Sequence, residues 1–421
     1  MTFFIYGDYK ELEQKEFYDL VINGYDWGPG VDKIILHTKF PVSCDSVRVQ
    51  DFNVITETYV NDWISYPPKT NLKTGCRTIY SAYTCDETGI EVKNSSCHIA
   101  LELTVHPDDP FSNPFLYSSD MMNHWQKIYN LKITNSILNI NITESGKKIC
   151  PLADKFTLNK LTTDNITLHY ALYEPENSAN KTPIIIWLHG MGEGGDDPYI
   201  ALLGNKVVNL ITDDIQSYFA PTGAYVLVPQ VNGFWMQTDI KLKGMEGWIG
   251  PKSKLTKSCY TTALFNLIDS VVKENPKIDK DRIYIGGCSN GGYMSINMLL
   301  EYPDYFAAAY PVCEAYPDCK INEEQIKILS KQHIWFTQSK DDKTVFPKLF
   351  VLPTFKRLQK LKAEDVHLTL WKNVSDNTGN FKDKKGKPYK YNGHFSWVYT
   401  LNNQCKENDI SIFEWMSKIS K

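Results

Sequence analysis

Between Ile283 and Ser295 the chain reads "IYIGGCSNGGYMS". A β-branched and aromatic run meets a knot of glycines around one serine, and a helical pattern follows at once. Few folds accept that order. A strand that turns sharply into a helix forces unusual backbone angles at its tip. It also brings the residues two before and two after the tip close together. Gly287 and Gly291 occupy those two positions around Ser289, and Gly292 adds slack. The expected result is a serine raised at the C-terminal end of a buried strand. The helix behind it would aim free N–H groups at that point, which favours negative charge there. The bland reading of the same stretch is a structural turn; its place between strand and helix favours a nucleophile.

The surrounding grammar agrees with such a sheet. After Cys150, apolar runs alternate with helix-like segments. "NITLHYALYEP", "TPIIIWLHG", "AYVLVPQ", "RIYIGG", "FAAAYPV", "HIWFTQS" and "VHLTLW" read as strands. "CYTTALFNLIDSVVKENP", "NGGYMSINMLLEYP" and "SIFEWMSKIS" read as helices. This alternation predicts a mostly parallel sheet flanked by helices over 151–421. Residues 1–150 read differently. "VDKIILHTKF", "SVRVQDFNVITETYV", "CRTIYSAYTC" and "CHIALELTVH" alternate apolar and polar residues between turn signals. They predict a smaller all-β sandwich. Two domains suit 421 residues.

A serine hydroxyl needs a base, and the base needs an orienting carboxylate. On a sheet with this elbow the order along the chain is serine, acid, histidine. Of the histidines after Ser289, His333 and His367 lie in strands, whereas His394 lies in "YNGHFSWVYT" beyond the last of them. His394 is therefore the expected base. The loop after "HIWFTQS" supplies Asp342, with Asp341 as the alternative; Val345 and Pro347 favour Asp342 by anchoring the loop beneath it. The oxyanion formed on attack needs backbone donors. Asn290 supplies one, and the glycine-rich "WLHGMGEGG" supplies the other at Met191, with Gly192 as the alternative. His189 is then structural, and Glu193, Asp196 and Asp197 shape the loop. Trp235 and Trp397 are expected to line a substrate pocket, with Phe234 and Trp248 as weaker candidates.

With these residues in hand, 158–421 resembles the α/β-hydrolase superfamily. More narrowly it is similar to esterases related to polyhydroxybutyrate depolymerases and feruloyl esterases. "WLHGMGEGG", "VPQ" at 228–230, "GGCSNGGYMS", "SKDDKTVFP" and "GHFSWVYT" carry the resemblance. The first 150 residues, "YDWGPGVDKIIL" above all, resemble the immunoglobulin-like domain that precedes some bacterial esterases. The resemblance implies a serine carboxylesterase working through an acyl-enzyme, without metal or organic cofactor. Its substrate would be a small-molecule or polysaccharide-linked ester, such as a feruloyl or acetyl ester of plant cell walls. Prolyl-oligopeptidase-like peptidases share the core, so a serine peptidase is the alternative. A third reading makes the β-domain a carbohydrate binder with Trp27, Trp63 and Trp125 as its platform, although core packing is the simpler role for each.

Charge and composition exclude some partners. The net charge is −4, with 42% hydrophobic and 22% charged residues. Nothing there calls for nucleic acid, and no apolar run is long enough to span a membrane. The N-terminus has no basic start followed by an apolar stretch, so it does not read as a signal peptide. Ten cysteines and sequons at Asn94, Asn141, Asn165, Asn180 and Asn373 lean the other way, towards an extracellular setting, with the cytoplasm as the alternative. Cys288 and Cys313 are a candidate pair, though a buried packing role for Cys288 is the simpler expectation.

Overall fold

The computed structural model describes residues 15–64, 68–242, 246–254 and 257–421. The N-terminal part is all β. One sheet has five strands: Ser145–Ile149, Phe17–Tyr25, Gly28–Val42, Ser96–Leu103 and Ile79–Cys85, in that spatial order. The other has four: Ile140–Ile142, Tyr129–Asn135, Asn53–Asp62 and Lys69–Arg77. Alternation decides which faces meet. Val54, Thr56 and Thr58 point inward from one strand, while Ile34 and Leu36 point inward from the facing sheet. Arg77 is buried and donates to the carbonyls of Val31 (2.8 Å), Thr104 (3.0 Å) and Phe111 (3.1 Å). It thereby pins the 107–113 loop to the sandwich.

The second part is one eight-stranded sheet. Its strands are β1 (Thr157–Thr163), β2 (Ile166–Tyr173), β3 (Thr182–Leu188), β4 (Tyr225–Val231), β5 (Ile278–Cys288), β6 (Ala308–Val312), β7 (Ile334–Ser339) and β8 (Val366–Trp371). The spatial order is β1-β2-β4-β3-β5-β6-β7-β8. β2 runs antiparallel to both neighbours, and β4 through β8 are parallel. The central strands are buried on both faces, which is why β3 reads as an unbroken apolar run. Its side chains divide by parity. Ile184, Ile186 and Leu188 face the layer holding α1 (Thr261–Glu274) and α2 (Asn290–Glu301). Ile185 and Trp187 face the other way, into a cluster that continues without interruption into the β-sandwich core around Tyr18, Ile34 and Leu101.

The two parts are also tied by polar contacts. Asp26 accepts from Asn402 (2.9 Å) and Tyr391 (3.3 Å) and lies 3.5 Å from the Lys206 ammonium. Tyr389 donates to Asp108 at 2.7 Å. The hairpin formed by Phe115–Tyr117 and Asn123–Trp125 leans on the loop after β3. There the Trp125 indole N–H donates to Asp197 at 2.7 Å. Asp197 also caps the helix Pro198–Leu203 through the Tyr199 N–H.

Candidate active site

Ser289 stands between β5 and α2 with φ 56° and ψ −112°. Such angles are strained for any residue but glycine, of order 1–3 kcal/mol, and persist only where the surroundings impose them. The surroundings here are backbone. A Cβ on Gly287 would lie 2.4 Å from the Leu188 carbonyl oxygen, and one on Gly291 only 2.0 Å from the same atom. On the other side, the Ser289 N–H donates to the Val312 carbonyl at 2.9 Å. The elbow is therefore wedged between the ends of β3 and β6, and the glycines are what let it fit.

His394 lies just before a short helix, Trp397–Leu401. Its Nδ1 is 2.8 Å from Asp342 Oδ2. Asp342 is fully buried, and its other oxygen accepts the N–H groups of Thr344 (2.8 Å) and Val345 (2.9 Å). An ionised carboxylate only accepts, so Nδ1 carries the proton and Nε2 keeps a free lone pair. Asp341 is directed elsewhere. It accepts the Ser339 hydroxyl at 2.7 Å, lies 3.4 Å from the Lys390 ammonium, and abuts Gly393, where a Cβ would fall 2.4 Å from its Oδ1. That contact explains why a glycine precedes the histidine. The Trp397 ring stands edge-on to the imidazole at 5.7 Å.

Ser289, His394, Met191, Gly192 and Trp397 line one cleft of about 840 Å³. Ser289 and His394 share its wall. Asn290 begins α2, so its N–H is among those a helix leaves unpaired at its start. Its side chain is buried and accepts the Met236 N–H at 3.0 Å. The arrangement offers a half-buried hydroxyl that reaches the cleft, a base with its tautomer set, and a helix-start N–H beside them.

His189 is buried. Its Nδ1 donates to the Gly190 carbonyl (2.6 Å), and its Nε2 accepts the Val231 N–H (3.3 Å). Burial lowers its pKa to about 4, which keeps the imidazole neutral. Glu193 is buried too, and burial pushes its pKa up to about 7.

Trp235 is a correction. It is fully buried, does not line the cleft, and packs against His189 (5.1 Å) and Tyr260 (6.1 Å). Phe234 is buried likewise, whereas Trp248 does line the cleft. Cys288 and Cys313 are both unpaired thiols, as are the other eight cysteines. The larger departure is the cleft's second wall, which comes from the β-domain. Trp27, Tyr59, Trp63, Phe115, Tyr117 and Asn123 belong to it. Core packing does not describe Trp63, which is 59% exposed and tilts over Tyr117 at 5.7 Å. No motif around these residues signals the role, because it depends on how the two parts dock.

An elbow serine on a sheet of this order defines the α/β-hydrolase class. Residues 17–146 match the esterase Ig-like N-terminal domain, and residues 173–375 match the phospholipase/carboxylesterase family. The two matches lie side by side along the chain, an esterase immunoglobulin-like domain followed by a phospholipase/carboxylesterase domain. Among solved structures, a thermostable esterase superposes with TM-score 0.73 over 96% of this chain and 100% of its own, at 22% identity, a likeness of fold. A ferulic acid esterase superposes with TM-score 0.43 at 15% identity, over 63% of this chain and 97% of its own. In sequence, a probable dipeptidyl-aminopeptidase B of Talaromyces marneffei is 25% identical over 187 residues, 42% of this chain. The chain spans only 18% of that relative's length.

Proposed function

We propose that the protein is a serine carboxylesterase. Ser289 attacks the ester carbonyl carbon while His394 Nε2 takes the hydroxyl proton. The N–H groups of Asn290 and Met191 hold the oxyanion. Collapse of the tetrahedral intermediate expels the alcohol, which receives the proton from His394, and leaves an acyl-Ser289. Water, deprotonated by His394, releases the acid and restores the serine. Asp342 holds the imidazole and favours its charged form. The observation that carries this reading is the strained Ser289 sharing a cleft with a histidine whose Nδ1 is 2.8 Å from a buried carboxylate.

The cleft supports an aromatic or other bulky apolar ester group. Its volume is about 840 Å³, and Trp27, Trp63, Tyr117, Trp248, Phe350 and Trp397 face it. Among the described lining residues there is no lysine or arginine, so nothing there neutralises a phosphate or a free carboxylate. A feruloyl-type ester fits that chemistry better than an acetyl group, which leaves most of the space empty. An extracellular setting is part of the proposal; Asn94, Asn141, Asn165 and Asn180 are exposed and open to glycan attachment.

Hydrolysis of p-nitrophenyl esters of increasing chain length, methyl ferulate and a matched anilide, by wild type beside Ser289→Ala, tests the reading. Ester turnover lost in the variant supports it. Equal ester turnover by both proteins removes Ser289 from the mechanism, and anilide turnover exceeding ester turnover moves the assignment to a peptidase.

A further inference from the structure

Glu193 is the one carboxyl that the oxyanion loop buries. It lies two residues after Met191 and is 6% exposed. Its side chain is packed between Gly190 and Gly204. A Cβ on Gly190 would lie 2.8 Å from Glu193 Oε2 and 3.2 Å from Cys288 Sγ, and one on Gly204 would lie 2.7 Å from Glu193 Cγ. The carboxyl thus sits beneath the start of the oxyanion loop and beside the residue that precedes the nucleophile. Its backbone is fixed from below, where the Gln230 amide donates to the Glu193 carbonyl at 2.9 Å.

What faces the carboxyl is neutral on every side. From the β-domain hairpin, Asn123 Nδ2 donates to Oε1 at 3.4 Å. Asn205 and the Gly190 N–H face it from its own domain. From β5 it meets the Cys288 thiol, which burial keeps protonated. His189, at the end of β3, is neutral. Lys206, next in sequence to Asn205, is committed to Asn402 (2.8 Å) and Asp26 (3.5 Å). On the hairpin, exposed His124 pairs with Asp120 at 2.8 Å. On the loop, Asp197 is held by Trp125, and Asp196 is exposed. Across the cleft, His394 is answered by Asp342. Among the described residues no cation pairs with Glu193.

We infer that Glu193 is a positioning residue that supports the oxyanion loop as an uncharged acid, tying it to the β-domain through Asn123, and that loss of its proton slows attack on the ester. This rests on the serine-esterase reading above. The physical reason is sign. The transition state places negative charge on the substrate oxygen beside Met191 and Asn290. A second negative charge under the same loop, in a buried site, opposes it. With a neutral acid there the loop keeps its shape and the field stays favourable. Burial sets the proton loss near pH 7, so activity falls as pH rises past that point.

The test is the pH profile of kcat and kcat/KM on an uncharged p-nitrophenyl ester, read at the isosbestic wavelength of the product. Wild type, Glu193→Gln, Asn123→Asp and Ser289→Ala are compared. Wild type is expected to lose on the order of tenfold in kcat on the alkaline side. Glu193→Gln cannot ionise and loses that alkaline limb, whatever its absolute rate. Asn123→Asp sets a second carboxyl against Oε1 and moves the limb to higher pH. An identical alkaline limb in wild type and Glu193→Gln overturns the inference, as does a wild-type profile that stays flat above neutrality. If Glu193→Gln does not fold, a limb unmoved in Asn123→Asp overturns it instead. In each case an inactive Ser289→Ala leaves the esterase reading standing, whereas an active one removes that reading itself.

Discussion

Glu314 offers a test of how far this interior can hold a charge. It lies two residues after β6 and is 2% exposed. Its Oε2 accepts the Tyr316 N–H at 2.7 Å. Its Cα is so close to α2 that a Cβ on Gly292 would lie 2.8 Å from it. No cation pairs with it among the described residues. Burial, and to a lesser degree the charge of Asp318, raises its pKa from 4.5 to about 8. A carboxyl with a raised folded pKa binds its proton in the folded state across that window, while the unfolded chain has already released it. Stability is therefore highest below about 4.5 and is lost as pH rises towards 8, then stays level. At about 1.4 kcal/mol for each pH unit, the full loss is about 5 kcal/mol, of which about 4 falls between pH 5 and pH 9. Glu314→Gln keeps the acceptor for Tyr316 and cannot ionise. In urea melts its stability relative to wild type is expected to improve by about 4 kcal/mol from pH 5 to pH 9. Contributions from other titrating groups cancel in that difference. Two curves that stay parallel from pH 5 to pH 9 would refute the reasoning, because the carboxyl would then have the same pKa folded and unfolded.

Three further outcomes are expected. Asp342→Asn keeps an oxygen for the Thr344 and Val345 N–H groups, so near-UV circular dichroism should match wild type; ester kcat should fall on the order of 10⁴-fold, because the imidazole loses its orienting charge. Gly291→Ala drives a Cβ to 2.0 Å from the Leu188 carbonyl, a contact only the main chain can relieve; it should cost at least about 3 kcal/mol in denaturant melts and abolish activity. Trp125→Phe removes the 2.7 Å bond to Asp197 and should lower stability by about 2 kcal/mol, with a fall in kcat as the loop after β3 loosens.

Local backbone geometry is what makes the elbow readable from sequence. The approach of Leu188 to Gly287 and Gly291 is a demand on two residues fixed in sequence around Ser289, so the motif carries it whole. The pairing of Asp342 with His394 depends on topology, yet the order of elements along a parallel sheet narrows the choices. Asp342 and Asp341 separate only on contacts: two N–H donors and an imidazole at one, a serine hydroxyl and a lysine at the other. The expectation for Trp235 fails because an aromatic near a strand end can turn either into the cleft or into the fold, and nothing in its neighbours' identities chooses. β1 escaped the sequence reading because "TLNKLTT" is mostly exposed at the sheet edge and lacks the buried alternation that marks its neighbours.

The β-domain's part in the cleft was illegible for a different reason. Its sandwich patterning reports the burial of its own two sheets, and says nothing about which outer surface meets a second domain. That surface is set by long-range agreement: Asp26 against Lys206, Tyr391 and Asn402, Trp125 against Asp197, Asn123 against Glu193. Each partner is an ordinary polar residue when read alone. The apolar side of the docking is equally distributed, since Ile185 and Trp187 of β3 belong to the same cluster as Tyr18 and Leu101 of the sandwich. A shift of the sandwich by one contact layer would therefore disturb the core face of β3, the loop that follows it, and the wall opposite Ser289 together. The hydrolase sheet supplies the chemistry at one strand end, but the volume in which a substrate meets it is a property of the interface.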